Sequence, residues 1–172
     1  MGKVLVSACL IGEMVRYNGT DNTVCDSILE NWKQEGRIVK VCPEVAGGLP
    51  VPRIPAEIIG GQAQDVLEGH SRIMTRTGQD VTEFFIKGAQ QALTVALSQH
   101  VACAIFAEGS PSCGSSSVYN GHFNRTRISG MGLTTCLLRQ HGIKVFNQYQ
   151  LEQANEYLKC LEKEPYEGLK PS

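Results

Sequence analysis

Two hydrophobic periods alternate along this chain. Short consecutive apolar runs at 3–7, 37–41, 102–107 and 144–146 predict strands buried on both faces, which have no polar side to show. Between them, apolar residues recur every three or four positions, as on one face of a helix. Val24, Cys25, Ile28, Leu29 and Trp32 predict a helix over 21–33, stopped by Gly36. The widest stripe joins Val81, Phe84, Phe85, Ala89, Ala92, Leu93, Ala96 and Leu97 and predicts a helix over 81–98, with Asp80 as cap and Glu83 three residues on. Leu133 to His141 reads as a helix closed by Gly142, and Asn147 as the cap of a last helix reaching about Lys163. The segment 43–55, with its prolines and glycines, is expected to carry no regular structure. The segment 57–78 is ambiguous, with a short strand near 71–75. Strands alternating with helices imply a three-layer α/β fold around a mainly parallel sheet, as a single domain over 1–164 with a loose tail over 165–172.

Size and charge narrow the possible partners. A chain of 172 residues can bury its own core. Sixteen basic against seventeen acidic residues leave a net charge of −1, with the basic residues scattered, so nothing argues for a nucleic-acid surface or an anionic membrane. No run approaches the ~18 apolar residues of a membrane span. The first apolar run is too short for a signal peptide. Seven cysteines, an odd number without Cys-x-x-Cys spacing, fit free thiols in a reducing cytoplasm better than a disulfide framework or a zinc ribbon.

Three of those cysteines stand apart. Cys9 in Ser7-Ala8-Cys9-Leu10-Ile11-Gly12, Cys42 in Cys42-Pro43-Glu44-Val45-Ala46-Gly47-Gly48-Leu49-Pro50, and Cys113 in Gly109-Ser110-Pro111-Ser112-Cys113-Gly114 each follow a predicted strand. Ligands of parallel α/β sheets bind along the edge where strands end, so three distant thiols can meet there. Cys25, Cys103, Cys136 and Cys160 fall inside predicted helices or strands and read as packing residues. Three soft sulfur ligands favour zinc, copper(I) or an iron–sulfur cluster. Structural zinc wants a fourth ligand, and none of His70, His100, His122 or His141 lies in these loops. A cubane cluster held by three cysteines would leave one iron open, most naturally to a sulfur atom.

Other candidates surround the thiols. Glu44 reads either as a solvated carboxylate or as a general base beside a metal. Ser110 and Ser112 read either as turn residues or as a donor and proton relay, and the sequence does not separate them. Arg53, Arg125 and Arg127 are loop pins or contacts to an anionic substrate. The serine- and glycine-rich stretch 109–121 lacks both the Gly-Lys-[Ser/Thr] ending and the GxGxxG spacing of a phosphate cradle.

Together the three cysteine loops, with Pro52-Arg53, resemble the bacterial thiouracil desulfidase family, in the same order and over nearly the whole chain. The resemblance implies a Rossmann-like α/β domain and an oxygen-sensitive [4Fe-4S] cluster on Cys9, Cys42 and Cys113. It implies non-redox removal of sulfur from thiolated uracil, giving uracil and sulfide. Glu44 matches the family's catalytic carboxylate and Ser110 its serine, with Ser112 as the alternative. The expected partner is a small thiolated pyrimidine, and a single flipped-out thiolated tRNA nucleotide stays open as a substrate. Two rival readings are a cysteine- or zinc-dependent hydrolase with Cys42 or Cys113 as nucleophile, and a non-enzymatic iron–sulfur or thiol redox sensor.

Overall fold

The structure, a computed structural model, describes residues 1–167. Strand β1 (Lys3–Ser7) runs into a 3-10 turn (Ala8–Ile11) that carries Cys9 and closes on Gly12. Helix α1 (Ser27–Gln34) leads to β2 (Ile38–Val41), and α2 (Pro43–Ala46) follows β2 directly. A hairpin of β3 (Ala56–Ile59) and β4 (Arg72–Thr75) encloses α3 (Ala63–Leu67). The long helix α4 (Thr82–Ser98) precedes β5 (Val101–Phe106). A second hairpin, β6 (Ser117–Tyr119) and β7 (Arg127–Ser129), is followed by α5 (Leu133–Gln140), β8 (Lys144–Asn147) and α6 (Leu151–Glu167).

The central sheet has the order β2-β1-β5-β8, all parallel. Side-chain alternation along β1 explains its two apolar faces. Val4 and Val6 pack with Leu29 and Trp32 of α1 and Leu158 of α6, whereas Leu5 packs with Ala96 of α4 and Leu138 of α5. That is the three-layer, Rossmann-like architecture the sequence implies. The chain leaves β1 toward β2 on one side and later places β5 on the other, so strand order reverses between β1 and β5. A crevice opens at the carboxyl ends of strands at such a point. Ser7 is level with Val41, and Val6 with Ile105, so the segments carrying Cys9, Cys42 and Cys113 all leave the same edge.

Several expectations need correction. The segment 43–55 is not without regular structure, because Pro43 opens α2, a position where the missing proline N–H costs nothing. The helix expected over 21–33 starts only at Ser27, where the Asp26 carboxylate accepts the Ile28 N–H at 2.8 Å. Helix α4 starts one residue later than expected, with Val81 in place of Asp80 at the capping position, although the Asp80 carboxylate accepts the Thr82 N–H at 2.9 Å. Asn147 does not cap α6. Its side-chain oxygen closes a turn on the Tyr149 N–H, and the helix begins at Leu151. The tail expected over 165–172 lies mostly outside the described residues, α6 itself reaching Glu167. Cys103 and Cys136 are buried, but Cys25 and Cys160 are exposed and pack in no core. Among the described residues, no helix is long and apolar enough to cross a membrane.

Candidate active site

Cys9, Cys42 and Cys113 line one cleft of about 890 Å³ at the switch between β1 and β5, together with Glu44 and Ser110. A smaller recess of about 440 Å³ beside α5 and β8 has no thiol, carboxylate or imidazole in its lining. The thiols sense one another. Burial pushes Cys9 up to about 11, and the charge on Cys42 adds to the shift. Burial likewise raises Cys42, with Glu44 adding to it. Cys113 is raised well above the ordinary thiol value, first by burial and then by Glu44, Cys42 and Cys9. Three such groups are costly as bare thiolates in a shared, partly desolvated space, and a polycation among them removes that cost.

The donor set can be tested against the groups it might hold. Tetrahedral zinc at ~2.3 Å from sulfur needs thiolates about 3.8 Å apart. No three His, Cys, Asp or Glu side chains among the described residues are close enough to share one ion. Three soft donors lining one cleft, with no histidine in the lining, fit a polynuclear iron–sulfur group instead.

Glu44 and Ser110 form the polar side of the cleft. The Ser110 hydroxyl donates to Glu44 Oε2 at 3.2 Å, while its oxygen accepts the N–H groups of Ser112 at 2.9 Å and Cys113 at 3.1 Å. Ser110 therefore ties the carboxylate to the loop that carries the third thiol. Ser112 points elsewhere, being 1% exposed and hydrogen-bonded to the Thr134 hydroxyl at 2.9 Å. The Arg53 Nε pairs with Glu44 Oε1 at 3.4 Å, and its guanidinium also donates to the carbonyls of Val15 and Pro50. Arg53 is thus a pin with a largely buried side chain, and it lines the cleft together with Arg125 and Arg127. Arg127 stacks on Tyr119, 5.4 Å from its ring centre.

Glycines set how closely these pieces approach. A Cβ on Gly88 of α4 would lie 1.9 Å from the Pro43 carbonyl oxygen, and one on Gly47 2.0 Å from the Phe84 carbonyl oxygen. Backbone therefore meets backbone, and α2 is seated on α4 with Cys42 and Glu44 at its head. Gly132 plays the same part for the third loop, since a Cβ there would fall 2.3 Å from the Ser112 carbonyl carbon. The first N–H groups of α5 donate to that loop, Leu133 to the Pro111 carbonyl at 2.7 Å and Thr134 to the Ser112 carbonyl at 3.0 Å.

Two carboxylates escaped the sequence reading. Glu108 accepts from the N–H groups of Ser115, Ser116 and Ser117, the hydroxyls of Ser115 and Ser116, and the Asn147 amide. Burial acts to raise it, but these donors prevail and hold it down at about 2. The run Ser115-Ser116-Ser117 seven residues beyond an acidic strand end is the one sequence signal for this knot. Glu57 on β3 also lines the cleft, and nothing in its surroundings in the sequence marks it.

Fold, three converging thiols and a carboxylate–serine pair fit a cluster-type lyase or hydrolase site better than a nucleotide-binding one. Residues 4–150 match the 2-thiouracil desulfurase family. The chain is 43% identical over 148 residues to the uncharacterized protein YbbK of Bacillus subtilis (strain 168), covering 86% of this chain and 97% of that one. It superposes with a TM-score of 0.86 on the solved structure of the [4Fe-4S]-dependent thiouracil desulfidase TudS, at 44% identity, covering 93% of this chain and 99% of the other. The chain belongs to the 2-thiouracil desulfurase family.

Proposed function

We propose that this chain is a cytoplasmic [4Fe-4S]-dependent desulfidase that converts a small thiolated uracil and water to uracil and sulfide, without net redox change. The observation that carries this reading is the convergence of Cys9, Cys42 and Cys113 on the Glu44–Ser110 pair in one cleft. The three thiolates would hold the cluster, which when bound supplies a Lewis-acidic iron free of cysteine for the thiocarbonyl sulfur.

The chain's own residues handle the water and its protons. Glu44 Oε2, oriented by the Ser110 hydroxyl and by Arg53, accepts a proton from water as the oxygen bonds to the ring carbon. Ser110 is itself held by two backbone N–H groups, so its O–H direction is fixed toward Glu44. As the carbon–sulfur bond breaks, the electron pair leaves with sulfur, and the water protons end on the departing sulfide. The 890 Å³ cleft has room for a base or a nucleoside. The net charge of only −1 favours such a small substrate over RNA.

The rival hydrolase lacks support, because no histidine lines the cleft to activate a thiol and burial raises rather than lowers all three. A redox sensor has no use for the Glu44–Ser110 pair. Glu44→Ala is expected to retain iron and sulfide yet lose turnover of thiouracil by a factor of ~10² or more. Unchanged turnover would remove Glu44 from the mechanism.

A further inference from the structure

Glu57 is a carboxylate where a strand flank would be expected to carry none. It lies on β3 next to core residue Ile58, is 7% exposed, and forms no ion pair among the described residues. Burying a charge this way is costly unless hydrogen bonds replace its water. One oxygen is served. Oε1 accepts the N–H groups of Gly121 at 2.9 Å and Phe123 at 3.4 Å, which pins the loop between β6 and β7. That loop is tightly built, with Phe123 and Arg125 both in left-handed backbone conformation and both lining the cleft. Gly121 is wedged so close to β3 that a Cβ would lie 2.6 Å from the Ile58 carbonyl oxygen.

The other oxygen is not served. Oε2 has no hydrogen-bond partner, yet every sealed side-chain oxygen and nitrogen among the described residues has one. Oε2 is therefore not sealed from solvent, and Glu57 is one of the residues that line the cleft. We propose that Glu57 is a specificity-determining residue, using Oε1 to hold the 120–126 loop and Oε2 to accept a hydrogen bond from an N–H or O–H donor of the substrate. This rests on the desulfidase reading above. Thiouracil offers ring N–H groups, and a thiouridine adds ribose hydroxyls.

Glu57→Gln separates the two oxygens. The amide carbonyl can still accept from the loop, whose N–H groups repel the amide NH2, so the NH2 replaces Oε2 and cannot accept. Cluster-loaded wild type, Glu57→Gln and Glu57→Ala would be compared with 4-thiouracil and 4-thiouridine. Binding of uridine, which carries no sulfur, would be measured by calorimetry. We expect Glu57→Gln to keep its unfolding midpoint and kcat while KM rises about tenfold, with uridine bound equally less tightly. A rise with both substrates identifies a base N–H as the donor; a rise with the nucleoside alone identifies the ribose. The proposal is overturned if Glu57→Gln matches wild type in KM and uridine affinity while only Glu57→Ala is impaired, since Glu57 is then a loop pin. Wild type that releases no sulfide from either compound would instead overturn the function, and this inference with it.

Discussion

Replacing Gly88 by alanine sets local propensity against packing. Within an exposed helix the change stabilises by up to ~1 kcal/mol, because alanine loses less entropy than glycine. At Gly88 the new methyl would sit 1.9 Å from the Pro43 carbonyl oxygen and 2.8 Å from its carbon, where about 3.5 Å is the comfortable separation. One partner must retreat by well over an ångström, and α4 is anchored in the core through Phe85, Ala89, Ala92 and Ala96, so α2 has to move. Overpacking costs ~1–3 kcal/mol, and a clash of backbone on backbone falls in the upper part of that range, about 2–3 kcal/mol, which outweighs the propensity gain and leaves a net loss of about 1–2 kcal/mol. For a chain of this size that is a fall in Tm of about 2–8 °C. Because α2 carries Cys42 and Glu44, iron content and turnover are expected to fall as well. Urea unfolding, metal analysis and steady-state kinetics would check this, with Gln91→Ala on the exposed face of α4 as the control. A Gly88→Ala protein at least as stable as wild type, with full iron, would refute the argument that backbone contact seats α2.

Glu108 should govern the acid limb of stability. Its folded value of about 2 lies below the ordinary 4.5, so its contribution is fully present above pH 4.5 and is lost as pH falls toward 2. Glu108→Gln is expected to flatten that limb and, allowing for its partial exposure, to cost about 1–2 kcal/mol at neutral pH; identical urea midpoints for the two proteins from pH 7 to 3 would contradict this. Ser110→Ala and Ser112→Ala should part company. The first should lower kcat and, by stranding the N–H groups of Ser112 and Cys113, lower stability as well, whereas the second strands the buried Thr134 hydroxyl and should cost ~1–3 kcal/mol with kcat retained. Kinetics and unfolding on the same two samples decide it, and equal loss of kcat in both would sink the distinction.

The central sheet was legible because strands covered on both faces must be apolar throughout, as Val4-Leu5-Val6 and Cys103-Ala104-Ile105-Phe106 are. The long helix α4 was legible because its stripe spans four turns. Of the hairpin strands only β4 was legible, as the short strand near 71–75; β6 and β7 are Ser-Val-Tyr and Arg-Ile-Ser, with one apolar residue apiece, too few for an alternation to stand out. Helix α2 was hidden because its stability comes from docking on α4 rather than from its own four residues, too few to form alone. The thiols were found because strand-end position is a sequence property, and the fold then brought them to one cleft. Glu57 was invisible for the opposite reason, since its significance lies in loop N–H groups more than sixty residues away. Likewise, only the fold distinguishes Ser110, facing Glu44, from Ser112, facing Thr134.

The most direct test of the desulfidase reading is one anaerobic experiment. The protein is purified without oxygen, loaded with iron and sulfide, and mixed with 4-thiouracil while the visible absorbance of the cluster, the near-ultraviolet band of the substrate and released sulfide are followed together. The expected result is a brown protein that bleaches the substrate band and releases one sulfide per uracil formed, with both colour and turnover lost in Cys113→Ala. A protein that stays colourless, or one that holds the cluster yet leaves every thiolated uracil intact, would contradict it.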